Sequence, residues 1–484
     1  MVQLNTNFIK HIEKELPAHL SLEEFIAYCD KPLRQSIRVN TLKISTVAFI
    51  NIMTQAGWQL SPIPWCEDGF WIEGKDDIQL GNAIEHIQGL FYIQEASSML
   101  PPTALFSNDT APEIVLDLAS APGSKTTQIA ALMNNRGLLV ANEYSASRVK
   151  VLHANVLRMG ASHTALTHFD GRVFGEYLFE SFDTILLDAP CGGEGTVRKD
   201  PLALKHWDID DVTAIGETQK DLIESAFLAL KPGGTLVYST CTLSQLENQH
   251  ICRHLKQIYP DAVEFISLTD LFDGAAQACT KEGFLHVWPQ IYDSEGFFVA
   301  KIRKIASVER VKKQPKLQKN FPFTPVNEKQ KTELIQYFQN NFCLELPSDD
   351  VIMVRDDEYW LFPAQFIPFI GKMRFQRIGI KLADAMKKGY KAKHEAVIAL
   401  SAAAHNPAKT MELSAPQAQD YLMGRDITTT TFDQPTQQHL AIMPRGEMLV
   451  SYHKVVLGVV KHLGHRLKNN LPRELVRDRV NVSL

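Results

Sequence analysis

Apolar runs and helical patterns alternate through the middle of the chain. Five short apolar runs end in turn residues and indicate buried strands, at 113–120, 137–144, 163–170, 182–190 and 235–242. Apolar residues recur at helical spacing between them, at 124–134, 145–160 and 218–234. Such alternation predicts a parallel sheet covered by helices on both faces. Runs 284–290 and 296–302 are expected to close one edge of it as a hairpin.

Two breaks interrupt this pattern. Segment 301–323 is basic, contains two prolines and lacks a sustained apolar period, so it is predicted to be a linker or an exposed arm. Two adjacent prolines within 98–102 are expected to stop a helix and to mark a softer boundary. With 484 residues, the chain is long enough for about three domains of ordinary size.

The composition is that of a globular protein, with 45% hydrophobic and 22% charged residues. The first residues contain no apolar run long enough for a signal peptide or a membrane span, so a cytoplasmic protein is expected. Seven cysteines are scattered without a C-x-x-C pair, which disfavours a zinc site or a disulfide framework. A functional cysteine would therefore be a reduced thiol.

Charge is distributed unevenly along the chain. Residues 301–484 hold 29 basic and 18 acidic side chains, a net charge of +11. Residues 1–300 hold 21 basic and 37 acidic side chains, a net charge of −16. A basic C-terminal part behind an acidic front part favours a polyanionic partner, but a lysine-rich solvated surface is the simpler alternative. Charge alone does not decide between them.

The turn after the first predicted strand, DLASAPGSKT at 117–126, allows a ligand to approach the backbone closely. Its smallest residues are Ala119, Ser120, Ala121 and Gly123. The helix that follows begins with free N–H groups, which favour a negative group. The turn matches neither G-x-G-x-x-G nor a Walker loop, so dinucleotides and triphosphates are disfavoured. A carboxylate, such as the methionine end of S-adenosylmethionine, would suit it.

Acidic residues end the next two strands. Glu143 follows the glycine turn by about 20 residues, where a carboxylate can accept hydrogen bonds from ribose hydroxyls. Asp170 ends the third strand, within reach of an adenine amino group. One acidic residue at a strand end is usually a helix cap or a solvated turn. Compatible groups at three successive strand ends favour a nucleoside cofactor instead.

The fourth and fifth strands end in two cysteine motifs, LLDAPCGGEGTVRKDP at 186–201 and STCTL at 239–243. Asp188 is expected to face the same cleft as Cys191 and Cys241. Each cysteine alone is most simply a small buried core residue. Two of them at neighbouring strand ends, above a methyl-donor turn, favour chemistry.

An acid and a thiol beside a methyl donor match methylation of a pyrimidine at C5. That carbon is a poor nucleophile until a thiolate adds at C6 and an acid protonates N3. The activated C5 then attacks a sulfonium methyl, a base removes the C5 proton and the thiolate leaves. Asp188 would have to hold a proton at neutral pH for this role, which burial away from water favours.

Together these motifs resemble the RNA cytosine-C5 methyltransferase family, the NOL1/NOP2/Sun group. The matching segments lie within residues 20–302 and are IRVNTLK (37–43), FYIQEASSML (91–100), LDLASAPGSKT (116–126), NEYSASR (142–148), FDTILLDAPCGGEGTVRKDP (182–201) and LKPGGTLVYSTCTLSQLENQ (230–249). The resemblance implies an α/β fold: a Rossmann-like S-adenosylmethionine-dependent methyltransferase domain with a mostly parallel seven-stranded sheet.

The resemblance also implies residue roles. Cys241 is the nucleophile, Cys191 assists product release and Asp188 contacts N3. The residues implied to bind S-adenosylmethionine are Ala119, Ser120, Ala121, Pro122, Gly123, Ser124, Lys125, Glu143, Asp170 and Asp188. No metal is implied. Where the family commonly has PCSGTG, Gly192 lacks a hydroxyl and Glu194 adds an acid, which is expected to alter contacts to the base or a phosphate.

The C-terminal part resembles a PUA-like RNA-binding module. The segments that carry this resemblance are YLMGRDI (421–427) and GEMLVSYHKVVLGVVKHLGHRLKNNLPREL (446–475). The alternation in MLVSYHKVVLGVV predicts a strand–turn–strand unit. The candidate RNA-contacting residues are Arg198, Lys199, Arg466 and Lys468, with further phosphate contacts expected from 301–319. The predicted parts are a small N-terminal RNA-binding domain (1–100), a catalytic domain (101–305), a basic linker (306–325), a small intermediate domain (326–390) and a PUA-like α+β domain (391–484).

The order of these parts resembles that of one bacterial group within the family, and this resemblance implies a monomeric enzyme that methylates a cytosine in the decoding region of 16S rRNA, within the 30S subunit. Methylation of another rRNA or tRNA cytosine is the second hypothesis. A non-catalytic RNA-binding scaffold is disfavoured because Asp188, Cys191 and Cys241 are all present. A small-molecule or protein methyltransferase would need neither the thiol pair nor the PUA-like module.

Overall fold

The computed structural model of the protein describes residues 4–74, 79–107, 111–310, 312–313, 315–403 and 410–482. In this part of the chain, the strands form four sheets that follow one another along the sequence. No helix within these ranges is long and apolar enough to cross a membrane.

The first sheet has four antiparallel strands in the order β2-β3-β1-β4. The elements of this region are α1 (Thr6–Glu15), α2 (Leu22–Cys29), β1 (Ser36–Val39), α3 (Thr46–Gln55), β2 (Gln59–Ile63), β3 (Cys66–Glu73), α4 (Ile84–Gln88) and β4 (Phe91–Ile93). Helices α1 and α2 pack against the next region instead of this sheet, because Phe8 and Phe25 share a buried cluster with Leu243 and Trp288. The N-terminal helices therefore cover the loops that carry the predicted cysteine site.

The second sheet carries the predicted α/β fold. Its elements are α5 (Leu100–Leu105), β5 (Ile114–Asp117), α6 (Ser124–Leu132), β6 (Leu138–Asn142), α7 (Ala146–Met159), β7 (Thr164–Thr167), α8 (Phe174–Tyr177), β8 (Phe182–Asp188), α9 (Ile209–Ala229), β9 (Leu230–Thr240), α10 (Gln249–Ile258), β10 (Val263–Ile266), β11 (Leu285–Val287), α11 (Pro289–Tyr292) and β12 (Phe297–Lys304). Seven of its strands run in the order β10-β12-β9-β8-β5-β6-β7. The five from β9 to β7 are parallel, and β12 and β10 are antiparallel. The predicted seven-stranded, mostly parallel arrangement is confirmed, and β11 and a further strand, β16 (Arg377–Ile378), extend the sheet to nine strands.

The central strands are buried on both faces because successive side chains point to opposite sides. On β8, Ile185 and Leu187 join one apolar cluster with Phe227 of α9, whereas Leu186 joins the other with Ile129 of α6. Strand β11 pairs antiparallel with β12, so the predicted edge hairpin is confirmed, with α11 inserted between its strands.

Three local predictions were wrong. The prolines at 101–102 occupy the first turn of α5 and begin that helix, since a missing N–H costs nothing there. Helix α9 begins well before 218, because the Asp208 side chain caps it by accepting from the Asp210 N–H, and it ends before the 230–234 segment, which opens β9. Residues 301–304 belong to β12 and not to a linker.

The third sheet has the order β13-β14-β15-β17-β18 and is antiparallel. The elements here are β13 (Thr324–Pro325), α12 (Glu328–Phe342), β14 (Val351–Arg355), β15 (Glu358–Phe362), β16 (Arg377–Ile378), β17 (Ile380–Ala385), β18 (Tyr390–Ala392) and α13 (His394–Ala403). Strand β16 lies between β15 and β17 in sequence but does not join this sheet; it pairs antiparallel with β7 of the second sheet. It thereby covers the edge of the second sheet that β7 would otherwise leave open.

The fourth sheet has the order β19-β21-β22-β23-β20. Its elements are β19 (Thr410–Glu412), α14 (Ala415–Leu422), β20 (Ile427–Thr428), α15 (Gln434–Ile442), β21 (Gly446–Tyr452), β22 (Val455–His462) and β23 (Arg466–Asn469). Strands β21 and β22 form an antiparallel hairpin, which confirms the predicted strand–turn–strand unit. The Gln88 side-chain amide donates to the carbonyls of Tyr452 (2.9 Å) and Val455 (2.7 Å), so this hairpin touches the N-terminal region.

Candidate active site

The turn between β5 and α6 is held by a buried carboxyl group. Asp117 accepts a 2.6 Å hydrogen bond from the Thr126 hydroxyl on one oxygen, while the other oxygen has no hydrogen-bond partner. Burial raises the pKa of Asp117 to about 7, against the opposing hydrogen bond from Thr126. The Ser120 hydroxyl donates to the Asp117 carbonyl at 2.7 Å, which fixes the backbone of the turn.

Helix α6 begins without a side-chain cap. Gly123 occupies the N-cap position with φ 109°, a conformation that favours glycine. A Cβ atom there would also lie 3.1 Å from Leu152 Cδ1. The first N–H groups of α6 therefore face the turn without a side-chain acceptor, which suits a ligand carboxylate.

Glu143 and Asp170 lie beyond the carboxyl ends of β6 and β7, the two strands on one side of β5. The buried Glu143 carboxylate accepts from the backbone N–H of Ala121 at 3.2 Å and of Ser145 at 2.8 Å. Asp170 pairs with the Arg172 guanidinium at 2.6 Å, whose hydrogen bonds hold the pKa of Asp170 below its usual range. These carboxylates and the uncapped end of α6 fit the ribose, adenine and carboxylate groups of S-adenosylmethionine.

Asp188 is the last residue of β8 and lies opposite Ser239 of β9. The Lys125 ammonium and the Ser239 hydroxyl donate to its two oxygens, each at 2.7 Å. Burial acts to lower the pKa of Lys125, but the Asp188 carboxylate outweighs it and raises that pKa above its ordinary value. These two contacts hold both oxygens of the Asp188 carboxyl group in place at the end of β8.

The two motif cysteines lie next to each other beyond the carboxyl ends of β8 and β9. Their Sγ atoms are 3.2 Å apart, and the backbone N–H of Gly195 donates to the Cys241 carbonyl at 2.9 Å. The hydrogen bond to Cys241, together with burial, raises the pKa of Cys191 well above its ordinary value. Cys191 therefore keeps its proton at neutral pH and can donate it to the Cys241 sulfur.

Sequence reasoning missed the polar residues that hold these turns. Glu247 accepts from Gly192 N–H and the Thr242 hydroxyl, and Asn248 accepts from Thr240 and donates to the Thr242 carbonyl. The sequence feature that could have indicated them is the stretch LENQ (246–249), shortly after the Thr-Cys motif. Glu194 is also buried, and its carboxylate accepts from the Trp207 indole and from Leu243 N–H. Its expected effect on contacts to the base or a phosphate stays a prediction.

Arg198 was predicted to contact phosphate, but its side chain is buried within the protein. Its side chain has 0% exposure, and its guanidinium donates to the carbonyls of Lys31, Pro32 and Ser294 while pairing with Asp293. A guanidinium with this many internal acceptors joins the N-terminal region to the catalytic sheet instead of binding RNA. Lys199, the next residue, is exposed.

Comparisons with known proteins decide the family. The profile described as 16S rRNA methyltransferase RsmB/F matches residues 104–303, and that of the N-terminal domain of RsmF matches 4–96. The RsmF pre-PUA and PUA domains match 323–400 and 408–477. Ribosomal RNA small subunit methyltransferase F of Shewanella frigidimarina is 90% identical over 100% of both chains. The chain belongs to the RsmF family.

Other relatives agree. The same-named protein of Shewanella denitrificans is 67% identical over 99% of each chain. A methyltransferase homologue from Pyrococcus horikoshii is 33% identical, with a TM-score of 0.51, over 62% of this chain and 100% of that one. As an RsmF-family protein, the chain is an S-adenosylmethionine-dependent methyltransferase that acts on 16S rRNA. The described residues contain no group of three or more His, Cys, Asp or Glu side chains placed to hold a metal ion.

The PUA domain of this RsmF-family protein presents a basic strand pair. Arg466 and Lys468 are exposed on β23, and the exposed Lys461 of β22 lies directly opposite Lys468. Like charges at directly opposed sheet positions repel each other, so an anion between them would stabilise this surface. The structure adds Lys461 to the two residues found from sequence.

Removing both opposed lysines should weaken rRNA binding without changing cofactor binding. We expect Lys461→Ala with Lys468→Ala to make the salt dependence of RNA affinity shallower, by about 0.7 to 0.9 in log–log slope for each phosphate that these lysines bind. Filter binding at several salt concentrations measures this slope, with calorimetry for S-adenosylmethionine. Lys329→Ala, on a side chain 86% exposed on α12, is the matched control. An unchanged slope in the double variant would exclude this face from the RNA interface.

Proposed function

We propose that the enzyme methylates C5 of a cytosine in the decoding region of 16S rRNA, at position 1407, through a covalent bond between Cys241 and C6 of the base. The observation that carries the proposal is the pair of thiols 3.2 Å apart at the ends of β8 and β9. Asp188 and Lys125 lie beside them at the cofactor end of the sheet. A thiol pair is useful in carbon methylation through a covalent adduct and has no role in direct transfer to nitrogen or oxygen.

Cys241 begins the reaction by adding to C6. A thiolate is the nucleophilic form of cysteine, and a nearby cation favours it. Lys125 supplies that cation, because it is held close to both Asp188 and Cys241. The Cys191 thiol, in contact with the Cys241 sulfur, is a second donor that stabilises negative charge there.

Asp188 is the group assigned to N3 of the base. Addition at C6 places negative charge on the ring, and a proton held between Asp188 and N3 neutralises it. The hydrogen bonds from Lys125 and Ser239 fix the position of the carboxyl group at the end of β8. S-adenosylmethionine, held by the β5–α6 turn and Glu143, supplies the electrophilic methyl group.

Release requires loss of the C5 proton to a base and departure of the Cys241 sulfur. Cys191 is suited to this step, because its protonated thiol lies in hydrogen-bond contact with the leaving sulfur. The pair therefore divides the work: one thiol enters and leaves the bond to C6, and the other assists its departure.

The target is tested with 30S subunits from cells that lack this gene. We expect radiolabelled methyl transfer from S-adenosylmethionine to these subunits, and bisulfite mapping should place the protected cytosine in the decoding region of 16S rRNA. Naked 16S rRNA and tRNA serve as comparison substrates. Methylation of tRNA or of a cytosine outside the decoding region would instead support the second hypothesis, and absence of any transfer would support a scaffold. Size-exclusion chromatography with light scattering tests the proposed monomer.

A further inference from the structure

One carboxylate lies beneath both cysteine turns. Glu247 has 0% exposure, and its Oε2 accepts from the backbone N–H of Gly192 at 2.9 Å, one residue after Cys191. Its Oε1 accepts from the Thr242 hydroxyl at 3.2 Å, one residue after Cys241. A single side chain therefore contacts the neighbours of both thiols.

The absence of a side chain at Gly192 leaves room for this contact. A Cβ atom at Gly192 would lie 3.0 Å from Glu247 Oε1, tighter than an ordinary van der Waals contact. Gln219 of α9 completes the arrangement, because its side-chain amide donates to Glu247 Oε2 and to the Pro190 carbonyl, each at 2.8 Å. The Pro-Cys turn is thus held on both sides of Cys191.

A second carboxylate joins the same turns in the opposite sense. Glu194 belongs to the Pro-Cys turn, yet its Oε2 accepts from the backbone N–H of Leu243 in the Thr-Cys turn at 3.1 Å. Its Oε1 accepts from the Trp207 indole N–H at 2.8 Å. Glu247 follows the Thr-Cys turn in sequence and accepts from the Pro-Cys turn. Glu194 belongs to the Pro-Cys turn and accepts from the Thr-Cys turn.

Both carboxylates are fully buried. Burial raises the pKa of Glu247 to about 7, despite the hydrogen bonds that oppose this shift. Burying an ionisable group opposes folding, and apolar side chains would fill the same space without that cost. The hydrogen bonds of the two carboxylates instead serve the turns that carry the cysteines, or residues packed directly on those turns.

We infer that Glu247 and Glu194 are positioning residues whose hydrogen bonds connect the two cysteine turns and fix the separation of the thiols. The inference rests on the proposed function, because it assigns both thiols to one covalent reaction. A reacting group displaced by about 1 Å can cost roughly 100-fold in rate. Loss of Glu247 is therefore expected to slow methyl transfer while leaving the cofactor turn, on the far side of Asp188, intact.

Thiol spacing can be measured without catalysis. Phenylarsine oxide condenses with two adjacent thiols, forming two As–S bonds and releasing the arsenic-bound oxygen as water. We expect the wild-type enzyme to bind it tightly through Cys191 and Cys241, and Cys191→Ala to abolish this binding. Glu247→Ala should weaken arsenical binding at least tenfold and lower kcat about 100-fold, with unchanged affinity for S-adenosylmethionine. The isosteric Glu247→Gln, which keeps an acceptor oxygen, should recover part of both losses.

Matched controls separate positioning from general stability. Glu217→Ala removes an exposed carboxylate of α9 that pairs with Lys220 on the same helix, and it should change neither readout. If Glu247→Ala lowers the unfolding temperature, the comparison is made with Glu247→Gln at a temperature where both variants bind S-adenosylmethionine normally. Wild-type arsenical affinity and wild-type kcat in both Glu247 variants would overturn the inference. Full methyl transfer by Cys241→Ala would instead overturn the proposed function, whatever the arsenical result.

Discussion

Replacing Cys241 with alanine is expected to abolish methyl transfer, whereas replacing Cys191 with alanine should leave the enzyme covalently attached to its RNA. The two thiols are only 3.2 Å apart, but their positions differ. Cys241 directly follows β9 and interacts with the charge of Lys125, while Cys191 keeps its proton through its contact with Cys241. Addition to C6 needs the first sulfur, and release needs the second.

The expected sizes follow from the two steps. Without the nucleophile, C5 stays unactivated, so turnover by Cys241→Ala should fall by a factor of about 10⁴ or more, as when other enzymes lose a covalent nucleophile. Cys191→Ala should complete bond formation and stall. Radiolabelled 30S subunits, quenched in denaturant and separated by gel electrophoresis, show the trapped complex as a shifted protein band.

A third cysteine provides the control for these two variants. Cys279→Ala removes a partly buried thiol near the β11 edge of the sheet, outside the site, and should methylate at the wild-type rate without a trapped complex. A trapped complex with Cys241→Ala and loss of methyl transfer with Cys191→Ala would reverse the two roles. Wild-type turnover by both variants would exclude a covalent mechanism through these thiols.

The strand ends could be predicted from sequence because both signals are local. Each central strand is a short apolar run, and parallel strands place their carboxyl ends at one edge. Residues such as Asp188, Cys191 and Cys241 then follow in the same cleft. Strand β16 had no such signal: it has two residues, and only its pairing with the edge of β7 makes it a strand. Tertiary contact decided its structure.

At the site, sequence reasoning failed for charged side chains whose partners lie far along the chain. Arg198, next to a glycine-rich turn, was predicted to contact phosphate, but carbonyls more than 90 residues away accept its donors. Glu194 was expected only to alter contacts to the base or a phosphate, and the donors that Trp207 and Leu243 supply to its carboxylate were not foreseen. No local pattern distinguishes an exposed charge from one whose partners arrive only on folding. The direction of such side chains needs the structure.

The ion pair of Asp188 and Lys125 gives the second large expected effect. Asp188→Asn keeps the shape of the side chain but removes the carboxyl group that would hold a proton at N3, and we expect single-turnover methyl transfer to fall at least ~100-fold. The change also leaves Lys125, whose side chain is 11% exposed, without its anion. Loss of one partner from a mostly buried pair destabilises, here by about 1 to 3 kcal/mol because Asp188 is partly exposed. Urea unfolding measures this part.

The same strand offers a matched control. Asp183, at the opposite end of β8, pairs with Lys231 at 2.6 Å, and its side chain is 29% exposed against 27% for Asp188. Asp183→Asn should therefore lower stability by a similar amount while methyl transfer stays within a few-fold of wild type. Loss of activity in both variants would mean that the sheet, and not the site, responds to the change.

The double variant Lys125→Met with Asp188→Asn separates charge balance from chemistry. Removing the cation as well should restore most of the lost stability, since no unpaired charge remains beside β8. Methyl transfer should not recover, because neither the group assigned to N3 nor the cation beside Cys241 is then present. Recovery of activity along with stability would show that Asp188 acts only by neutralising Lys125. Recovery of stability alone would leave contact with the base as the function of Asp188.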